Sequence, residues 1–227
     1  QEGSTQKRLT ARAKLDYQAK TWLKVGANFN YSKYDYSKTS EGTIGTGTIW
    51  STIKTQAPVY PIYFRDENKN IMVDKWGENM YDFAQAYDLN RAGGVGGNCI
   101  FNNKYNVNET TGNSFTASGY VDVNLTKDLT FTFNANAYDY DRRYTEAKSP
   151  FVDYYTSSSD NGTLYKASYR TFTYNTQQLL NYGKQFGKHD VSAMVGHEYY
   201  NYKYESLSAS GRNFGIDNSW ELATLLN

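Results

Sequence analysis

SFTASGYVDVNLTKDLTFTFNANAY, residues 114–138, alternates with a period of two. Phe115, Ala117, Gly119, Val121, Val123 and Leu125 fall on one side; Thr116, Ser118, Tyr120, Asp122 and Asn124 fall on the other. After Thr126-Lys127-Asp128 the pattern resumes, with Leu129, Phe131, Phe133, Ala135 and Ala137 against Thr130, Thr132, Asn134 and Asn136. Two alternating arms around a short polar turn make a β-hairpin with one greasy and one wet face. Each arm runs to about 10 residues, longer than a typical strand and matching the ~9–11 tilted residues that cross a bilayer.

Composition narrows the class. The 227 residues carry a formal net charge of +1, which gives neither a nucleic acid nor an acidic substrate a field to answer. The excess is in tyrosine, 23 residues against 11 Phe and 4 Trp. The mean hydropathy of −0.77 is too polar for helical spans. A membrane β-barrel escapes that test, since only alternate residues meet lipid. Cys99 is the single cysteine and has no cysteine partner for a disulfide or a metal site. The N-terminus, Gln1-Glu2-Gly3, has no signal peptide, and the far end stops within structured-looking sequence, so a fragment of a longer chain is expected.

Working outward, the same alternation predicts six strands, near 8–17, 22–34, 114–125, 129–138, 170–182 and 190–204. Trp22 stands at one end of the second strand and Tyr31, Tyr34 and Tyr36 at the other, the placement of an interfacial aromatic girdle; cross-strand packing in a soluble sheet is the competing reading. The long connection at 35–113 predicts a short helix around Ile49, Trp50 and Ile53 and an extended run from Pro58 to Phe64. It also predicts a helix over Asn79–Arg91 with Asn79 as its cap, and a break at Gly93–Gly97. Further long connections are expected at 139–169 and 205–227. Short turns join strands 1–2, 3–4 and 5–6, whereas long segments join 2–3 and 4–5. Sorting by end in this way is the habit of outer-membrane barrels, with short periplasmic turns and long extracellular loops. Six strands do not close a barrel, and open edges in lipid leave backbone groups unpaired at several kcal/mol each, so the rest of a barrel is presupposed.

Gln56–Tyr63, Asp66-Glu67-Asn68, Met80–Phe83 and Phe186–Glu198 resemble the SusC/RagA family of TonB-linked outer-membrane transporters. The last of these follows a G-x-H-x-V-x-A-x-x-G-x-E pattern in which His189 and Glu198 match, and Gly211–Phe214 resembles the loop after it. The resemblance implies an all-β fold, an antiparallel transmembrane β-barrel of about 22 strands with a plug. It further implies a TonB box on the periplasmic side, a SusD-like surface lipoprotein over the extracellular mouth, and oligosaccharide or peptide substrates. Plug and TonB box are not in this sequence, so coupling to TonB would run through a missing N-terminal region.

No catalytic constellation is expected, nor any cofactor. His189 falls in a turn and His197 on a strand, with no Ser or Cys partner at a recognisable spacing. Asp139, Asp141 and Asp153 lack the Gly and Glu of a calcium loop. The loop aromatics Trp50, Tyr60, Tyr63, Phe64 and Trp76, with Arg65, Arg142 and Arg143, are the candidate binding residues: flat rings stack on sugars or side chains, and guanidinium groups hold carboxylates. Packing of the loops against each other, or contact with the lipoprotein, is the competing reading. Two functions follow: part of a TonB-dependent importer in the bacterial outer membrane, or a soluble secreted all-β carbohydrate-binding or adhesin module. A passive porin is a third.

Overall fold

Extended backbone satisfies its N–H and C=O groups by pairing strand to strand, and six strands do so in chain order. The computed structural model describes residues 4–38, 54, 61–74, 77–82, 98–150, 161–214 and 220–225. The strands are β1 (Thr5–Lys20), β2 (Leu23–Ser37), β3 (Val107–Thr126), β4 (Leu129–Lys148), β5 (Thr163–Phe186) and β6 (His189–Arg212). They form one antiparallel sheet in the order β1-β2-β3-β4-β5-β6. Two-residue turns at Thr21-Trp22, Lys127-Asp128 and Gly187-Lys188 close one end. Gly187 lies at φ 63°, a conformation that favours glycine at such a turn. Both long connections leave from the opposite end, and among the described residues β1 and β6 are each paired on one side only.

The strands run further than the alternation predicts. β3 begins at Val107 rather than near 114, β4 continues to Lys148 rather than 138, and β5 and β6 have 24 residues each. The long connections shrink accordingly. At ~3.3 Å per residue, a 20-residue strand such as β4 is about 66 Å long. Tilted by ~45°, it rises about 47 Å, well beyond the ~30 Å hydrocarbon core. The outer part of each strand therefore meets water on both faces, and a strand wet on both faces shows no polar–apolar contrast.

The loops bring two corrections. Asn79 does not cap a helix: it bridges to Val73, as Tyr81 does to Tyr63, so 79–82 is extended. Residues 83–91 of that predicted helix lie outside the described residues, and a helix the sequence reading did not expect is α1 (Cys99–Tyr105), seven residues long. Asn98 caps it, accepting from the Ile100 and Phe101 amides at 3.1 Å each. The predicted helix at 49–53, apart from its end at Lys54, lies outside the described residues, as do residues 58–60 of the extended run and Gly93–Gly97.

Register carries the apolar set intact across the sheet. Leu23, Val25, Ala27, Phe29 and Tyr31 of β2 stand opposite Val123, Val121, Gly119, Ala117 and Phe115 of β3. The same β3 residues stand opposite Phe131, Phe133, Ala135, Ala137 and Asp139 of β4. Within 9–17, 23–31, 115–123, 129–137, 172–182 and 191–201, no outward position is Asp, Glu, Lys or Arg. This face is open: Phe29 is 48%, Phe115 44% and Val195 73% exposed. On β5 and β6 the band is interrupted by Thr176, Gln178, His197 and Asn201, where the His197 Nδ1–H donates to Gln178 Oε1 at 2.7 Å. Just above the band the outward face turns charged. Arg170 is held by Asp139 through two hydrogen bonds, 3.2 and 2.8 Å, and Lys203 pairs with Glu205 at 2.7 Å.

A second apolar layer covers the outward side at the far tips of the strands. Ala147, Leu164 and Phe214 are buried there with Val107, Trp220 and Leu225 packed on them. Lys166 to Glu221, 2.8 Å, ties the chain after β6 to the same side. The loop between β2 and β3 has its own small core of Tyr81 and Phe101, flanked by Tyr63, Met80 and Tyr105.

Candidate functional site

The inward face is built from the other half of every strand. Nearest the short turns it carries Lys24, Asp122, Thr132 and Thr130. In the middle it is a field of amides and hydroxyls around a trough of about 580 Å³, lined by Arg12, Lys14, Asp16, Asn28, Tyr120 and Gln177 among others. Tyr120 donates its hydroxyl to Asp16 Oδ1 at 2.6 Å, and Lys14 pairs with Asp16 at 2.9 Å, so these two charges offset each other. Neutral amides offer both donors and acceptors and suit a polar, hydrogen-bonding chain more than an isolated ion.

Above the trough the wall becomes aromatic. Tyr34, Gly112, Arg142 and Tyr169 lie in one register row across β2, β3, β4 and β5. A Cβ at Gly112 would stand 2.6 Å from the Tyr34 ring. With no side chain there, the Tyr34 ring crosses β3 and its hydroxyl meets that of Tyr140 on β4 at 2.6 Å. Tyr138 stacks beside Tyr140 at 6.2 Å, and Tyr169 beside Tyr204 at 6.5 Å. The Arg142 guanidinium lies over the Tyr169 ring, 4.4 Å from its centroid.

The structure divides the residues expected to bind. Trp50, Tyr60 and Trp76 lie outside the described residues. Tyr63 packs on Tyr81 at 5.0 Å in the loop core, and Phe64 is half-buried beside it in the chain. Arg65 turns back on its own loop, donating from Nη1 to the Lys69 carbonyl at 2.7 Å. Arg142 faces inward and Arg143, its neighbour, outward, the necessary result of period two. The girdle expected at the top of β2 is also divided: Tyr31 is outward, while Tyr34 and Tyr36 face the interior. The inward tyrosines Tyr34, Tyr138, Tyr140 and Tyr169 were not singled out as binding residues from the sequence. Their signal was parity, since each sits on the wet side of its strand.

In the loop, burial pushes the Tyr81 phenol up, and its hydrogen bond to Tyr63 acts the same way. Lys104 lies over the Tyr105 ring at 4.8 Å, and a hydrogen bond to that phenol holds the ammonium above its usual range. Asp139 and Asp141 are turned to Arg170, at 2.8 and 4.0 Å, and Asp153 lies outside the described residues.

Six meandering strands with this sorting of faces and connections match solved structures of the RagAB peptide transporter. One superposes with a TM-score of 0.75 at 21% identity, over 99% of this chain and 23% of that one. The fold is that of a segment of the barrel in those structures. The RagAB peptide importer in its open-open state matches with a TM-score of 0.73 at 19% identity. By sequence, the chain is 27% identical over 214 residues to the TonB-dependent receptor P26 of Formosa agariphila, 91% of this chain and 18% of that protein. No family model matches. The segment thus spans about a fifth of the length of the relatives it matches. These matches agree with the SusC/RagA resemblance of the 56–63 and 186–198 motifs.

Proposed function

We propose that the chain forms part of the wall of a TonB-dependent importer in the bacterial outer membrane, taking up peptides or oligosaccharides beneath a SusD-like surface lipoprotein. The observation that carries this reading is the two-faced sheet. An uncharged outward band lies back to back with an inward wall of amides, tyrosines and arginine, and all short turns lie at one end. The open face speaks against the soluble module, which would bury Phe29, Phe115 and Val195 between layers. The unpaired edges of β1 and β6 call for neighbouring strands, because bare backbone in lipid costs several kcal/mol per group. The relatives named as peptide importers favour peptide as the cargo. No chemical step is assigned to the protein.

The test uses the full gene in its own host. Deleting it should abolish uptake of a defined peptide or oligosaccharide pool, and collapsing the proton-motive force should do the same to the wild type. The protein should fractionate with outer membranes. Recovery as a freely soluble secreted particle would overturn the reading, and uptake that survives loss of the energised inner membrane would favour a passive pore.

A further inference from the structure

The outer half of the inward wall is unevenly charged. Register places Arg8, Arg12 and Arg142 there, while Glu146 is the inward acid on the same strands above the Lys14 row. Arg8 is partly engaged, donating from Nε to Ser32 Oγ at 3.0 Å. Arg142 is not. Its Nε is buried without a hydrogen-bond partner, and among the described residues no carboxylate pairs with it. The contrast with Arg170 is direct, because that outward arginine is gripped by Asp139 at 3.2 and 2.8 Å. The same strand pair therefore neutralises its outward arginine in place and leaves its inward one open.

The surroundings of Arg142 are arranged for an anion. Contact with the Tyr169 ring, 4.4 Å from its centroid, fixes the guanidinium on the inward face. Beside it, across Gly112, stands the Tyr34–Tyr140 hydroxyl pair at 2.6 Å. Two hydroxyls in one mutual hydrogen bond use one proton between them, so one O–H remains to donate outward. A planar cationic fork next to a free hydroxyl donor matches a carboxylate, whose two oxygens accept in one plane. A neutral hydroxyl would leave the charge of the guanidinium, whose Nε is buried without a partner, unpaired.

We propose that Arg142, with the Tyr34–Tyr140 pair, is a subsite for a carboxylate carried by the transported oligomer. The carboxylate belongs to an acidic peptide or to a uronic-acid oligosaccharide; the chemistry at the wall is the same. Arg8 lies three strands away, about 14 Å by the ~4.8 Å strand spacing, within reach of a second carboxylate a few residues along the same chain. The proposal rests on the importer reading above.

The experiment uses the full-length transporter purified with its surface lipoprotein. Its probes are hexaglutamate against hexaglutamine, and hexagalacturonate against maltohexaose. The wild type should bind one anionic probe at least tenfold more tightly than its neutral counterpart, and which one identifies the source. Arg142→Gln should bring that preference within twofold and leave the neutral probe unchanged, and Arg142→Lys should keep part of it. Outward Lys203→Gln should keep all of it. Heat-modifiable mobility confirms that each variant retains a folded barrel. A wild type without preference, or an Arg142→Gln variant that retains it, overturns the subsite. Uptake separates the two levels: if cells import the neutral probe but handle the acidic one alike with or without Arg142, the subsite fails while the importer stands. If deleting the gene leaves uptake of the peptide and oligosaccharide pools unchanged, the importer reading fails with it.

Discussion

Ala135→Arg puts a cation on the face assigned to lipid, and its cost follows from where Ala135 sits. It pairs with Gly119 on β3 and Thr176 on β5, one outward position above Phe133, the middle of the five outward residues Leu129–Ala137. Two residues at ~3.3 Å, with strands tilted by ~40°, place it about 5 Å from the midplane. Arginine on a lipid-facing barrel position costs about 2–4 kcal/mol at the midplane and about 0–1 at the interfaces some 12 Å away. Interpolation gives about 2 kcal/mol, a shift of about 30-fold in the folding equilibrium. Asn134→Arg, one residue earlier, points into the trough and should stay within about 0.5 kcal/mol of wild type. Equilibrium urea unfolding of the full barrel in lipid vesicles reads both values. Equal losses, or a larger loss for Asn134→Arg, would refute the assignment of faces.

Asn98→Ala removes the α1 cap together with the side-chain bonds to the Ile62 and Asp82 carbonyls, 3.0 and 3.1 Å. Hydrogen exchange should show the loop core of 61–82 and 98–105 loosened by about 1–3 kcal/mol, with the strands unchanged. Leu164→Ala, at a side chain only 1% exposed, should cost about 2–5 kcal/mol and free Phe214 and residues 220–225 to limited proteolysis while the sheet stays intact. The Asp66 carboxyl is held below its usual range by Asn70, whose side chain and backbone both donate to it, at 3.1 and 2.8 Å. A lowered folded value means that the turn is stabilised above the ordinary carboxylate range and loses that stabilisation as pH falls through the depressed one. Exchange of the Asn70 amide should therefore accelerate only at pH below the ordinary range, and Asp66→Asn should remove that dependence.

The sheet was legible where lipid enforces contrast. Phe115 to Val123 and Leu129 to Ala137 alternate because one face is excluded from water, and hairpin, parity and register all follow from that. Legibility stops at Asp139, where the outward side becomes wet as well. From there Asp139–Lys148 and Glu205–Arg212 read as loop although both are strand. The inward wall was half visible. Arg142 was singled out for its chemistry, but grouping it with Arg143 ignored the parity that sends them to opposite faces. Tyr34 and Tyr36 were grouped with Tyr31 for the same reason. The Tyr34–Tyr140 contact depends on an absent side chain at Gly112, 78 residues from Tyr34, which no local pattern announces. Helix α1 was missed because seven residues give less than two turns of periodicity.

The most direct measurement is site-by-site labelling along 115–123 and 129–137 in the full barrel in membranes, with Cys99 replaced by serine. Single cysteines at Ala117, Val121, Phe133 and Ala135 should be shielded from an aqueous thiol reagent and quenched by a lipid-borne probe. Those at Ser118, Tyr120, Asn134 and Asn136 should show the reverse. Labelling without alternation, or alternation with the two sets exchanged, would contradict the placement of lipid on one side and cargo on the other.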